Sequence, residues 1–338
     1  MNFFPVLRST RKRYSDSPGR QNCVMRAGVL CARNLAGYPF ASVASSIWKE
    51  EVICRFREVF EKYLKKRGFN WLFLDKKNER VWKWWEQSLF VMPALNDLSK
   101  GKVLIFKGNQ GIVVNYQDHF RLFAEIEDFT HLDACFLRVS RLEALLDRHL
   151  EFAFDEKVGF LTAVPEQAGT GLQVVVRIHL PAISFLYGVD KLYQWLKEKK
   201  GILIRGFGGS GKIRAHIFEI SNYFALGVTE SELVRIVKEL AGSLCRWERE
   251  VRASFLSDPQ RRKKLLERIG FLYSLCFREN KFDYFAEYVS LLFLAEQLGI
   301  MTGTKGFNLL KIDKVLRKEF LPILSFLKSK RGRIIQYV

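Results

Sequence analysis

Apolar residues recur along this chain with two periods, and the change of period divides it. Val52, Phe56, Val59, Phe60 and Tyr63 fall three or four residues apart, which predicts a helix over 46–67 stopped by Gly68. Apolar runs at 103–106 and 112–114 flank Lys107-Gly108-Asn109-Gln110-Gly111, the pattern of a β-hairpin. Residues 142–150 read as helix, and 159–164, 174–180 and 202–204 as strands. In 174–180, Val174, Val176, Ile178 and Leu180 alternate with Val175, Arg177 and His179, which predicts a half-buried strand with a basic pair on one face. A capping box then opens a helix: Thr229 as N-cap, Glu232 three residues on, and Val228 with Leu233 as hydrophobic staple. From there the helical period continues to a last amphipathic stretch at 312–338. An α/β part to about residue 228 or somewhat beyond, followed by a helical part, is the expected division.

Composition narrows the class. With 338 residues, 48% apolar and 14% aromatic, the chain is long enough for about two domains and too apolar to be disordered. Its apolar runs fall short of a membrane span, and its first residues lack the pattern of a secretory signal, so a cytoplasmic location and no membrane partner are expected. Residues 8–22 are polar and turn-rich, and residues 1–22 as a whole read as a mobile basic tail. The 6 cysteines contain no C-x-x-C and read as reduced, mostly buried thiols. An excess of 55 basic over 36 acidic residues, +19, favours polyanionic partners: nucleic acid, nucleotides or acidic protein surfaces. Its short clusters, at Arg11-Lys12-Arg13, Lys65-Lys66-Arg67, Arg261-Arg262-Lys263-Lys264 and 328–333, read first as solvated faces.

Candidate chemistry is sparse by motif. Gly206-Phe207-Gly208-Gly209-Ser210-Gly211-Lys212 follows a strand and fits seven positions of a phosphate-binding loop, but Ile213 stands where a magnesium-binding hydroxyl is required. A glycine-rich turn able to bring backbone N–H groups to an anion is what remains. The 5 histidines show no metal-ligand spacing, so no metal site is assigned. Glu125, Glu127 and Asp128 form an acidic group that reads as a solvated segment. The tryptophans Trp82, Trp84 and Trp85 read as packing rather than base stacking.

Four stretches in order carry a resemblance. They are Cys31-Ala32-Arg33-Asn34-Leu35; Asn115-Tyr116-Gln117-Asp118-His119-Phe120-Arg121; 159–172 with Thr162, Pro165 and Gly169-Thr170-Gly171-Leu172; and Arg205-Gly206 through Ser221-Asn222. Together they resemble the signatures of the ATP:guanido phosphotransferases, closest to the McsB-type bacterial protein-arginine kinases, over about residues 23–255. The resemblance implies an α+β fold, an antiparallel sheet flanked by helices as in glutamine synthetase, spanning 23–255, with a helical C-terminal domain at 256–338. It implies ATP with magnesium as the ancestral ligand, held by five arginines, and a carboxylate that orients the guanidinium. Transferred position by position, two arginines remain, Arg121 and Arg205. Gly28, Leu30 and Gln173 stand where the other three belong, Tyr116 and Gln117 where the paired carboxylates belong, and Ser210 where a further acid belongs. Gly206, Gly208 and Gly209 are the loop positions that remain for backbone contacts.

The resemblance therefore implies a catalytically impaired homologue, a pseudokinase in which ATP binding is weak or lost. Its implied partners are a McsA-like adaptor, Clp-type protease machinery or a second copy in a homodimer. The Arg-Asp-x-x-Arg-Ala motif that reads phosphoarginine in McsB-type kinases is absent near the C-terminus. Two other readings stand beside it. In one, Arg26, Arg177, Lys212 or Arg214 takes over the lost charges and the kinase is active. In the other, the scaffold serves as a basic nucleic-acid-binding protein.

Overall fold

A computed structural model describes residues 23–73, 89, 102–199, 201–206, 213–278 and 282–301. Ten strands form in chain order: β1 (Val24–Arg33), β2 (Asn70–Phe73), β3 (Val103–Lys107), β4 (Gln110–Tyr116), β5 (Asp118–Ile126), β6 (Phe154–Asp155), β7 (Gly159–Phe160), β8 (Leu172–His179), β9 (Ile202–Gly206) and β10 (Ile217–Asn222). Eight of them make one antiparallel sheet of order β2-β3-β4-β5-β1-β8-β10-β9, and β6 with β7 make a small hairpin. The helices are α1 (Ser46–Val59), α2 (Leu132–Asp147), α3 (Pro181–Tyr187), α4 (Val189–Lys197), α5 (Glu230–Ser257), α6 (Pro259–Arg278) and α7 (Phe282–Gln297). Antiparallel sheet, flanking helices and helical C-terminal region are thus the architecture the sequence led us to expect. Helix α5, at Glu230–Ser257, runs through the expected boundary at 255. Among the described residues no helix is long and apolar enough to cross a membrane.

Period-2 alternation sorts the sheet into two unequal faces. Ala27, Val29 and Cys31 of β1, Leu122 and Ala124 of β5, and Val174, Val176 and Ile178 of β8 join the main core with Val52 and Phe56 of α1, Leu142 and Leu146 of α2, and Val237 and Leu244 of α5. The opposite face holds a smaller cluster of Leu30, Leu89, Leu104, Val113, Phe123 and Val175. Here the reading of 174–180 needs correction. The strand is buried along its whole length, not on one face, because Val175 packs into the second cluster and Arg177 is paired to Glu219.

Several local expectations hold and others shift. Helix α1 continues through a π turn (Phe60–Leu64) and a 3₁₀ turn (Lys65–Arg67) to Gly68, whose φ of 81° is the left-handed stop. The 103–114 hairpin forms, and Thr229 caps α5 by accepting from Glu232 N at 3.3 Å. The helix read at 142–150 begins earlier, at Leu132, and ends at Asp147. Of 159–164 only Gly159–Phe160 is strand; Thr162 Oγ1 then donates to Val164 O at 2.7 Å and turns the chain into a 3₁₀ turn. All the cysteines are free, and Cys54 alone is exposed. The 1–22 tail, Arg11–Arg13, Trp82–Trp85 and the 312–338 stretch lie outside the described residues.

The helical region is tied to the sheet by a buried polar relay. His179, at the end of β8, meets Ser290 Oγ of α7 through Nε2 at 2.8 Å, and His216 meets the same hydroxyl through Nδ1 at 2.6 Å. One hydroxyl can donate to one imidazole and accept from the other, so the ring that accepts from it must be unprotonated at that nitrogen. Burial holds both neutral. It lowers the His179 pKa well below normal, with Arg252 and His216 acting in the same direction, and brings His216 down to about 4, with help from Arg268.

Because the folded pKa values are depressed, the unfolded chain takes up protons first as pH falls. Stability should be complete above about pH 6.5 and decline towards pH 4, by up to about 1.4 kcal/mol per pH unit for each ring. Urea midpoints measured across that window check it. Ser290→Ala should cost about 1–3 kcal/mol at neutral pH, since it leaves both imidazoles without their shared partner.

Candidate functional site

The second face of the sheet gathers the positions that the sequence marked. Leu30 of β1 lies opposite Phe123 of β5 and Gln173 of β8; Gly28 lies opposite Glu125 and Val175. Arg121 is opposite Ala32 and Val113, and Arg205 is opposite Glu219, itself opposite Arg177. Residues opposite one another across a ladder share a face, so all five arginine positions lie on one surface. Gly206 closes β9 beside Phe218, whereas Gly208, Gly209, Ser210 and Lys212 lie outside the described residues.

At one end of this surface the β4–β5 turn is held in an unusual conformation. Asn115 and Gln117 have φ of 59° and 52°, left-handed values uncommon for residues with side chains. Tertiary bonds hold the turn: Asn115 Nδ2 donates to Lys49 O at 2.8 Å, and Ser42 N donates to Gln117 O at 3.0 Å. Just after it, Asp118 is fully buried and accepts from Asn34 Nδ2 at 2.8 Å and Ala163 N at 2.7 Å. His119 N donates to Asn34 Oδ1 at 2.8 Å; its ring accepts from Leu35 N through Nδ1 at 2.9 Å and meets Pro39 O through Nε2, also at 2.9 Å. That pair of contacts fixes the Nε2–H tautomer, and burial lowers the His119 pKa to keep it neutral.

Other retained signature residues are structural in the same way. Arg33 is fully buried, with Nε on Glu143 Oε1 at 2.7 Å, Nη1 on Ala32 O and Thr170 O at 2.7 and 2.8 Å, and its guanidinium 3.5 Å from the centre of the Phe160 ring. A Cβ on Gly171 would stand 2.5 Å from Arg33 Nη1, so the glycine admits the arginine. Asn222 stitches β10 to β8, accepting from Val174 N at 2.7 Å and donating to Leu172 O at 3.0 Å.

The reagent positions differ. Arg121 is 7% exposed; its Nη1 donates to Gln117 Oε1 at 2.8 Å, its guanidinium lies 5.2 Å from the Tyr116 ring centre, and its buried Nε has no partner among the described residues. Burial lowers its pKa, the charge of Arg205 acts the same way, and Asp118 and Tyr116 oppose them. Lys102 Nζ lies 5.9 Å from the same Tyr116 ring centre, and burial pushes the Tyr116 hydroxyl up in pKa. Arg205 is exposed at the mouth.

The rest of the surface is largely apolar. Leu30, Phe123, Val175 and Val113 fill it with hydrocarbon, and Leu89 packs onto them while its N–H donates to Glu125 Oε1 at 2.8 Å. Glu125 was read as part of a solvated segment; it is 3% exposed instead, because its other oxygen takes Arg26 Nη1 at 3.1 Å. Arg177 is likewise closed on Glu219 at 2.6 Å, and Arg214 on Asp283 at 2.8 Å. Of the arginines considered as substitutes for the lost charges, all three are therefore paired with carboxylates. The pairing of Arg26 and Arg177 was missed in the sequence, where the acid partners lie far along the chain and only the ladder register brings them together.

Comparison with known proteins gives this surface its lineage. The family model of the ATP:guanido phosphotransferase C-terminal catalytic domain matches residues 51–251. Protein-arginine kinases are among the similar proteins: that of Halothermothrix orenii is 29% identical over 243 residues, covering 71% of this chain and 69% of the relative. That of Clostridium kluyveri is 32% identical over 222 residues, covering 64% of each, and that of Caldanaerobacter subterraneus 26% over 306 residues, covering 87% of each. The chain thus spans about two thirds of most of these relatives. Among solved structures, lombricine kinase superposes with a TM-score of 0.57 at 19% identity, covering 68% of this chain and 67% of its own. The Schistosoma mansoni duplicated taurocyamine kinase gives 0.58 at 22%, covering 70% of this chain and 34% of its own. With the family's sheet, its ordered signatures and a family model matching more than half its length, the chain belongs to the ATP:guanido phosphotransferases.

Proposed function

We propose that this chain is a pseudokinase of the protein-arginine kinase branch, which keeps one anion subsite and acts through protein contacts instead of phosphoryl transfer. The observation that supports it most is the filling of the second face. Where the family resemblance calls for three guanidinium groups, Gly28 and Gln173 bring no charge and Leu30 brings a buried apolar contact to Val113, Phe123 and Val175. Phosphoryl transfer depends on cations placed where charge develops, and one such arginine is worth about 10³-fold or more. Gln117 adds a second deficit. An amide takes no proton from a guanidinium, and here its oxygen is engaged by Arg121. The subsite that persists joins Arg121, with its unpartnered Nε, to Arg205, and fits a phosphate or a carboxylate of a bound partner.

Protein-arginine kinase relatives make a kinase-derived role in protein quality control the natural setting. A McsA-like adaptor or Clp-type protease machinery in the cytoplasm, and a second copy of the chain, are the partners this reading assigns.

Purified chain incubated with ATP, magnesium and arginine-rich protein should form no phosphoarginine above background; detectable product that disappears in Arg205→Ala would overturn the reading. ATP should bind with a Kd above about 100 μM, and the Arg121→Ala, Arg205→Ala double variant should abolish even that in calorimetry. Restoring an arginine should not restore transfer. Leu30→Arg would bury an unpaired charge among apolar side chains, and we expect it to lower stability by more than about 3 kcal/mol in denaturant titration.

A further inference from the structure

Two loops leave large apolar side chains in the open. Phe154 and Val158 of the β6–β7 hairpin, with Tyr223, Phe224 and Leu226 between β10 and α5, are 36–59% exposed. They are five of the twelve exposed large apolar side chains among the described residues, yet they come from two segments far apart in the sequence.

Backbone bonds stitch those segments together. Phe160 N donates to Gly169 O at 2.8 Å and Gly169 N to Phe160 O at 3.1 Å; Thr170 N donates to Ala225 O at 3.3 Å, and Ala225 N to Glu166 O at 3.1 Å. A Cβ on Gly169 would stand 2.8 Å from Ala225 O and 2.9 Å from Leu226 Cα, so glycine, at a φ of 102°, is what lets the loops meet. Ala225 is buried at this contact, and the residues on either side of it, Phe224 and Leu226, stay outside. The Phe154 ring stands edge-on to Phe160 with centres 5.2 Å apart, and Tyr223 edge-on to Phe224 at 4.4 Å. Phe160 and Ala225 pack on the main core, not on the smaller cluster of the second face.

With about 150–250 Å² to a large side chain, the open share of the five is on the order of 400 Å², enough for the apolar centre of a protein contact. The charge around it is the reverse of the chain's. Residues 151–170 hold Glu151, Asp155, Glu156 and Glu166, all exposed, against Lys157 alone, and 223–229 hold no charge, in a chain of net charge +19. Such a rim repels nucleic acid and anionic membranes and attracts cations. Exposed aromatic rings favour the same partner, because a guanidinium or ammonium is attracted to a ring face. The fold already contains that combination: the Arg33 guanidinium lies 3.5 Å from the Phe160 ring centre and bonds Glu143.

We propose that the Phe154–Val158 and Tyr223–Leu226 loops form a docking surface for a basic, apolar-anchored segment of another protein. Its hydrophobic side chains cover the patch, and its lysines or arginines meet the acidic rim and the ring faces. No phosphoryl group is transferred there. The surface would serve an active kinase as well as a pseudokinase, so its test does not depend on which of the two this chain is.

The test follows the fluorescence anisotropy of three labelled synthetic peptides with the full chain. The first alternates leucine and phenylalanine with lysine and arginine, the second has glutamate in place of the bases, and the third has serine in place of the apolar residues. Only the first should bind saturably. The Phe224→Ser, Leu226→Ser variant and the Glu156→Lys, Glu166→Lys variant should each weaken it about tenfold or more. Leu256→Ser with Phe271→Ser, 54% and 53% exposed on the helical region, should leave it unchanged. Equal binding of the second or third peptide, no saturable binding of the first, or affinity indifferent to the loop variants would overturn the proposal. So would a chain that is dimeric in ultracentrifugation and monomeric as Phe224→Ser, Leu226→Ser, since a second copy would then be the occupant. Should a variant unfold, a photoreactive form of the first peptide decides on the unaltered chain: its crosslinks must fall within 154–170 or 223–228, and crosslinks elsewhere refute the site.

Discussion

Asp118 is a side chain shut away from the solvent, and much of the structure is arranged around its carboxyl group. Its Oδ1 takes N–H groups from Asn34, at the end of the central strand, and from Ala163, in the segment that leads to β8. Asn34 returns a bond to the backbone of His119, and the His119 ring closes on Leu35 and Pro39. Three separate parts of the chain are thus held by one buried charge and its neighbours. Remove any member and buried donors lose their acceptor, a loss that usually exceeds the net worth of the bond itself. This is why the Asn34, Asp118 and His119 positions persist in a chain whose reagent positions have changed: they hold the sheet's centre together whether or not anything reacts above it.

The two faces of the sheet make that separation possible. The described helices all contribute to the main core on one face, so most of the fold's apolar burial is independent of what the other face carries. A face that binds a triphosphate must keep several guanidinium groups solvated and unpaired until ligand arrives. In this chain that face carries Leu30, Val113, Phe123, Val175 and Leu89 as a second small core, and Arg26 and Arg177 on it are closed on carboxylates.

What the sequence disclosed followed the range of the forces involved. The α1 pattern, the Gly68 stop, the 103–114 hairpin and the Thr229 cap are local, and each was legible because its determinants lie within a few residues of one another. The positions of Arg121, Arg205, Gly28, Leu30 and Gln173 were legible through the order of the family's signatures, although only the ladder register shows that they share a surface. Glu125 was misjudged as solvated and β8 as half-buried for one reason. A charged residue on a strand looks like a water-facing residue unless its partner is known, and Arg26, Glu219 and Ser290 are brought in by tertiary structure across 99, 42 and 111 residues from the groups they bond.

The place of β1 in the sheet also bears on how the chain comes into being. It is the first of the described strands to be made, yet it lies between β5 and β8, the latter beginning at Leu172. At about 5–20 residues per second, a ribosome needs on the order of 10–30 s to deliver both flanking strands. For much of that interval a ten-residue, mostly apolar segment has at least one edge unpaired outside the ribosome. Nascent chains of this topology must either be sheltered by a chaperone or wait in a collapsed, unregistered form until the last neighbour arrives.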